Sequence, residues 1–135
     1  MDRLSPEKRS WLMSRVRAKN TRPEHVVRTC VSGAGIRYRL HVANLPGKPD
    51  LVFHRRKKVI FVHGCFWHMH KGCGKAGVPK TNRTFWLRKL DGNRVRDVEV
   101  LRNLRRAGWK VLIVWECQIK DVERLRRRVE RFLNS

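Results

Sequence analysis

Nine consecutive residues, Val62-His-Gly-Cys-Phe-Trp-His-Met-His70, hold three histidines, a cysteine and two large aromatics. Imidazole and thiolate at such short spacing bind borderline metal ions. Zinc in a structural site takes four of them tetrahedrally. Cys65, His68, His70 and Cys73, joined by the distant Cys117, offer five ligands for four places. Spacing alone leaves open whether His68 or His70 is the surplus one. The stretch 71–77 is rich in glycine and poor in apolar side chains, so a bound metal would supply its missing order. The plain alternative makes the cysteines small core residues and the histidines surface groups. It suits Cys117 taken alone, and it suits Cys30 on an apolar helix face, but not the alternating cluster.

A second chemistry is written in the carboxylates. In a chain this basic, acidic groups near a polyanion-binding face oppose the partner unless they hold a cation. A hydrated Mg2+ stabilises charge on a phosphate and lowers the pKa of an attacking water. Asp50 follows the rigid turn Leu45-Pro-Gly-Lys-Pro and opens a strand. Its role as an ordinary turn aspartate is equally compatible with that spacing. Glu24 stands at the third position of a capping box opened by Thr21, which is a sufficient structural reason for a glutamate there. Asp97 sits in a basic helix, where pairing with Arg94 or Arg96 would explain it. Glu116 adjoins Cys117. His63 and His68 bracket the aromatics Phe66 and Trp67, and a neutral histidine suits general-base work near pH 7.

Composition narrows the partners. The chain has 135 residues, 33 Lys+Arg against 11 Asp+Glu, and a formal net charge of +22. Such a field draws polyanions, with nucleic acid first and an anionic membrane surface the rival. The basic residues are spread along the chain, as suits a folded face that tracks phosphates. Hydrophobic residues make up 41% of the chain, enough for one domain with one core. No membrane span or signal peptide is expected, which points to the cytoplasm and to reduced cysteines.

The elements that must position these groups follow from periodicity. Residues 5–18 form a basic, helix-capable segment, an arm that DNA could order. From Thr21 a helix with Val26, Val27, Cys30 and Val31 on one face runs to Gly33 and Gly35. Residues 36–42 alternate as a strand. Residues 51–53 and 59–62 are further strands, joined by the basic hairpin tip 54–58. A helix is expected over 83–90, an interruption at Asp91-Gly92-Asn93, and a second helix from about 94 to 107. Residues 109–115 form an apolar strand expected at the sheet's centre. Ile119, Val122, Leu125, Val129, Phe132 and Leu133 mark a last amphipathic helix. The sum is an α/β domain, a mixed sheet flanked by helices.

Leu45-Pro-Gly-Lys-Pro-Asp50, His63-Gly-Cys-Phe-Trp-His68, Val78-Pro79 followed by Phe85-Trp86-Leu87, Asp97, and Gly108-Trp-Lys-Val-Leu-Ile-Val-Trp-Glu-Cys117 together resemble the very-short-patch repair (Vsr) endonucleases. The resemblance spans roughly residues 5–120. It implies a restriction-endonuclease-like fold over residues 21–135, with residues 1–20 as a basic arm. It implies an enzyme that nicks double-stranded DNA 5′ of the mismatched thymine in a G·T pair, acting as a monomer, with mismatch-repair proteins as candidate partners. Carried over by position, Asp50 and the main-chain carbonyl of Val62 would hold Mg2+. His68 would be the general base and His63 a second catalytic histidine, with Glu24 and Asp97 in support. Cys65, His70, Cys73 and Cys117 would hold zinc, which leaves His68 for chemistry. Phe66 and Trp67, helped by Trp86, would enter the base stack, and Met13 would reach from the minor groove. Unstacking costs a few kcal/mol per step, offset in part by aromatic stacking. Val62 stands where familiar members carry threonine, Val78 lies one residue further from His70, and the C-terminal tail is short. A related nuclease with another DNA substrate is the first rival, and a non-catalytic zinc-containing DNA-binding protein the second.

Overall fold

The computed structural model describes residues 21–68, 70 and 77–135. The basic arm with Met13, and Cys73 in the Gly-rich loop, lie outside them. Helix α1 spans Arg22–Gly33, and Thr21 caps it by accepting the Glu24 N–H. Strands β1 (Arg39–Leu40), β2 (Leu51–Phe53) and β3 (Lys58–His63) follow. Then come α2 (Arg83–Arg106), β4 (Lys110–Trp115), a 3₁₀ turn (Glu116–Lys120) and α3 (Val122–Leu133). The strands form one sheet in the order β1-β2-β3-β4. The first two pairings are antiparallel, and β3 with β4 is parallel across the α2 crossover. The expected mixed sheet flanked by helices is present.

Four local expectations need correction. The strand expected over 36–42 shrinks to Arg39–Leu40. His41 takes a left-handed backbone, φ 49°, and the ladder stops there. Strand β4 lies at an edge of the sheet, not its centre. Its apolar run reflects cover on both faces: Leu112 and Val114 pack with Val27, Val31, Leu125 and Val129, while Val111 and Ile113 pack against the cluster around Leu104. A continuous apolar strand reports two covered faces, not two neighbouring strands.

The interruption at Asp91-Gly92-Asn93 is absent, and α2 is continuous for 24 residues. A single interior glycine costs only about 1 kcal/mol relative to alanine. The buried anchors Trp86, Leu90 and Leu104 on both sides of it outweigh that cost. Finally, Lys58 leaves the exposed hairpin tip and lies in β3, 3% exposed. Its ammonium donates to the carbonyls of Phe132, Leu133 and Ser135 at 2.7, 3.1 and 2.7 Å. A cation thereby closes the open carbonyl end of α3.

The turn before Asp50 depends on one glycine. Gly47 has φ +73°, and a Cβ there would meet Val100 Cγ1 of α2 at 2.5 Å. Lys48 is also left-handed, and its N–H closes the turn on the Leu45 carbonyl at 3.1 Å. Gly47→Ala is therefore expected to destabilise the protein by about 1–3 kcal/mol. Thermal denaturation measures this, and an unchanged melting temperature would show that the turn yields freely. Among the described residues no helix is long and apolar enough to cross a membrane.

Candidate active site and metal centre

The turn before β2, the end of β3 with the loop after it, and one stretch of α2 line a cleft of about 250 Å³. Gly47, Lys48 and Asp50 line it from the turn, Val62, His63 and His68 from β3 and beyond, and Asp97 and Val100 from α2. The pairing of β2 with β3 sets Leu51 opposite Ile60, which brings the residue before β2 beside the end of β3. Asp50 Oδ2 accepts the Val62 N–H at 2.7 Å. Burial raises the Asp50 carboxyl to about 7. The Val62 N–H pulls the other way, and the neighbouring Glu24 carboxylate adds to the rise. Two carboxylates crowded into a poorly solvated corner repel each other, and a cation between them relieves that repulsion.

Glu24 does not complete the capping box expected of it. Its side chain turns inward, 2% exposed, and accepts from Arg28 Nη2 at 3.0 Å. It also meets His41 Nε2 at 2.9 Å. Glu24, His41 and Asp50 present ligand atoms within 4.8 Å of one another. His41 is the residue that the sequence alone did not single out. Its only signal was a histidine closing an alternating segment just before the Pro-Gly turn.

Across the cleft, His68 Nδ1 lies 2.6 Å from Asp97 Oδ2. A carboxylate only accepts, so Nδ1 carries the proton and Nε2 remains the acceptor. His63 stacks on His68 with ring centroids 3.8 Å apart and planes 7° from parallel. Burial first, and then the neighbouring His68, lower His63 to about 4, with Asp97 opposing the shift. His63 is therefore neutral near pH 7. Its Nδ1 is buried without a hydrogen-bond partner among the described residues.

A third group lies at the adjoining end of the sheet. His70 Nδ1 is 3.6 Å from Cys65 Sγ and 3.5 Å from Cys117 Sγ. Zn–S and Zn–N bonds at tetrahedral angles give an S···N edge of about 3.6 Å, so these three donors fit a tetrahedral ion. His70 also stacks on Trp115, 4.1 Å between centroids. The Cys65 N–H donates to Glu116 Oε1 at 3.1 Å, which ties the two ligand-bearing segments together. His68 falls in a separate group with His63 and Asp97.

The loop after β3 and the first turns of α2 share an aromatic cluster. Phe66 packs on Trp67 at 5.2 Å and on Trp86 at 5.7 Å. Trp86 is 1% exposed, a floor beneath the half-buried Phe66 and Trp67, while Phe85 beside it is 36% exposed. Lys89 lies over the Trp67 ring at 5.3 Å. Asn93, in the stretch expected to interrupt the helix, donates to the Trp67 carbonyl at 3.1 Å and fixes the aromatic segment to α2.

A strongly basic chain with a cleft of paired carboxylates and an oriented histidine has the composition of a phosphodiester-cutting enzyme. Comparison with known proteins agrees. Residues 1–75 match the family model described as DNA mismatch endonuclease Vsr. The chain is 47% identical over 133 residues to the type II nicking enzyme V.XorIIP of Xanthomonas oryzae, covering 98% of this chain and 97% of that one. It is 40% identical to the type II nicking enzyme V.NmeAIP of Neisseria meningitidis, over 99% of this chain and 95% of that one. It is 41% identical to the DNA mismatch endonuclease Vsr of Escherichia coli, over 87% of this chain and 74% of that one. Fold, site and relatives define the class: a DNA endonuclease. Within that class the chain belongs to the Vsr family.

Proposed function

We propose that the protein nicks double-stranded DNA 5′ of the mismatched thymine in a G·T pair, as the entry step of very-short-patch repair of deaminated 5-methylcytosine. The observation that carries this reading is one cleft lined by both Asp50 and the His68–Asp97 pair, with Phe66 and Trp67 just before His68 in the chain. The sheet and helix arrangement is read as restriction-endonuclease-like, with residues 21–135 as the catalytic domain and residues 1–20, including Met13, as an arm that DNA orders.

Asp50 and the Val62 carbonyl are assigned to Mg2+, with Glu24 supporting its water shell. Bound there, Mg2+ would neutralise charge on the scissile phosphate and acidify the water. His68 Nε2 takes the proton from the attacking water, and Asp97 holds the imidazole in the tautomer that can do so. His63, neutral and stacked, keeps the His68 ring in plane without adding a second positive charge. The products are a 5′-phosphate and a 3′-hydroxyl. Cys65, His70, Cys73 and Cys117 are assigned to a structural zinc ion that orders the loop between the chemistry and the aromatics. Phe66 and Trp67 are the wedge and Trp86 their support. A mismatched step is cheaper to open than a matched one, which gives the wedge selectivity. The protein acts as a monomer in the cytoplasm, on DNA, with mismatch-repair proteins as candidate partners.

A second reading is favoured by the names of two relatives, which are type II nicking enzymes. It keeps the chemistry and changes the site that is cut. One experiment separates the two: nicking of G·T and matched duplexes across a panel of flanking sequences, with Mg2+ or EDTA. Strong preference for G·T and loss of activity in EDTA are expected. Equal cleavage of matched DNA would overturn the mismatch assignment, and full activity in EDTA would overturn the Mg2+ assignment.

A further inference from the structure

We propose that His41 is a nitrogen ligand of the cation site it forms with Glu24 and Asp50, so that this site binds Mn2+ or Co2+ in preference to Mg2+. The inference rests on the assignment of the catalytic ion to Asp50 and extends it in two ways, by moving Glu24 from the water shell to direct ligation and by fixing the choice of ion. Three observations carry it. The ligand atoms of Glu24, His41 and Asp50 fall within 4.8 Å of one another. His41 Nε2 lies 2.9 Å from Glu24 Oε2. Adjacent donors on one octahedral ion sit about 3 Å apart when the metal–ligand bonds are near 2.1 Å, so an ion can take the place of the proton between them.

The backbone of His41 is also committed to the site. Its N–H donates to the Asp50 carbonyl at 3.1 Å. Its φ of 49° turns the chain out of β1 at that point. A left-handed histidine is uncommon, and here its ring nitrogen lies within 4.8 Å of a carboxylate oxygen of each of Glu24 and Asp50. The side chain is 17% exposed against 3% for Glu24, so the imidazole is the more solvent-facing member of the pair. Imidazole is a poor ligand for Mg2+, which prefers oxygen and keeps its waters, and a better one for transition ions. A site of two carboxylates and one imidazole therefore discriminates by ligand type.

His41→Gln tests this directly. Glutamine can still donate a hydrogen bond to Glu24, yet it offers no imidazole. The probes are Mn2+, Co2+ and Mg2+ added separately to the zinc-loaded protein and followed by calorimetry, with pulsed electron paramagnetic resonance on the Mn2+ form. Wild type should bind Mn2+ and Co2+ at least about tenfold more tightly than Mg2+, and the Mn2+ signal should carry nitrogen modulation. His41→Gln should lose that preference and that modulation while Mg2+ affinity stays within about threefold. Absent nitrogen modulation in wild type, or its survival in His41→Gln, would overturn the proposal. His41→Asn, tested in parallel, covers a folding failure of the first variant. Asp50→Ala identifies the other failure: if it keeps full affinity for all three ions, the assignment of the catalytic ion to Asp50 falls, whatever His41 does.

Discussion

Asp50→Asn abolishes nicking and at the same time stabilises the metal-free protein above neutral pH. This is the first of two expected results with large effects. Removing the charged oxygen that would hold the cation should lower kcat by on the order of 10³ or more. The stability effect comes from the same burial. The Asp50 carboxyl is raised from 3.8 to about 7, first by desolvation and then by Glu24. The folded state therefore holds a proton that the unfolded chain releases across that interval. Protonated Asp50 is compatible with folding, so its contribution is fully present below about pH 4 and is lost as pH rises through about 7. Above that pH the folded protein carries a crowded carboxylate.

Asparagine is the permanent analogue of the protonated form. Its oxygen can still accept the Val62 N–H, and its amide can donate toward Glu24. The displacement of the carboxyl sets a ceiling of roughly 4 kcal/mol at pH 8, and relaxation should leave about 1–2. A rise in melting temperature of about 3–8 °C is expected at pH 8, with none at pH 4. Saturating divalent cation should erase the advantage, because it stabilises the parent alone. Thermal scans of both proteins at the two pH values, with and without cation, decide it. A lower melting temperature for the variant at pH 8 would mean that the Asp50–Glu24 repulsion is relieved by some other group.

Cys117→Ser is the second. Cys117 Sγ and Cys65 Sγ converge on His70 Nδ1 from segments far apart in sequence, and His70 is held flat against Trp115. If zinc is held as proposed, loss of one thiolate would remove a metal bond that joins the segment after β4 to the loop after β3. Zinc content should fall from one per chain toward zero, and stability by roughly 3–5 kcal/mol. Nicking should fall with it, because Phe66, Trp67 and His68 are carried on that same loop. Metal analysis and denaturant unfolding measure both. An unchanged zinc content would remove Cys117 from the ligand set.

Much of this site was legible before any coordinates. Cysteine and histidine at short spacing pointed to a group able to hold a metal, and the structure brings Cys65, His70 and Cys117 together. Asp50 was marked because it follows the rigid Pro-Gly-Lys-Pro turn and opens a strand, and the resemblance separated it from an ordinary turn aspartate. The structure adds that Gly47 in that turn has a left-handed backbone against Val100. Spacing along the chain did not reach other features, and for Glu24 and Asp97 only the family resemblance suggested a role at the site. The cap at Thr21 suggested a local role for Glu24, and the side chain instead reaches His41, 17 residues away. Asp97 looked like a partner for a neighbouring arginine and instead holds His68 across 29 residues. Local rules see only neighbours in the chain, and both carboxylates answer to partners brought by the sheet. The break at Gly92 failed for a related reason, since buried anchors on either side outweigh one glycine.

By itself the sequence determined the helix caps, the two-faced apolar strands, the basic field and the residue types able to bind metal, because each depends on short-range sterics or on composition. Tertiary structure alone decided which groups share a cleft. The parallel pairing of β3 with β4 carries Cys117 to Cys65 and His70, and the register of β2 on β3 sets Asp50 at Val62. The left-handed turn at His41 brings its ring to Glu24 and Asp50. Burial then raises Asp50 and lowers His63, and burial is a property of the packed core rather than of any spacing along the chain.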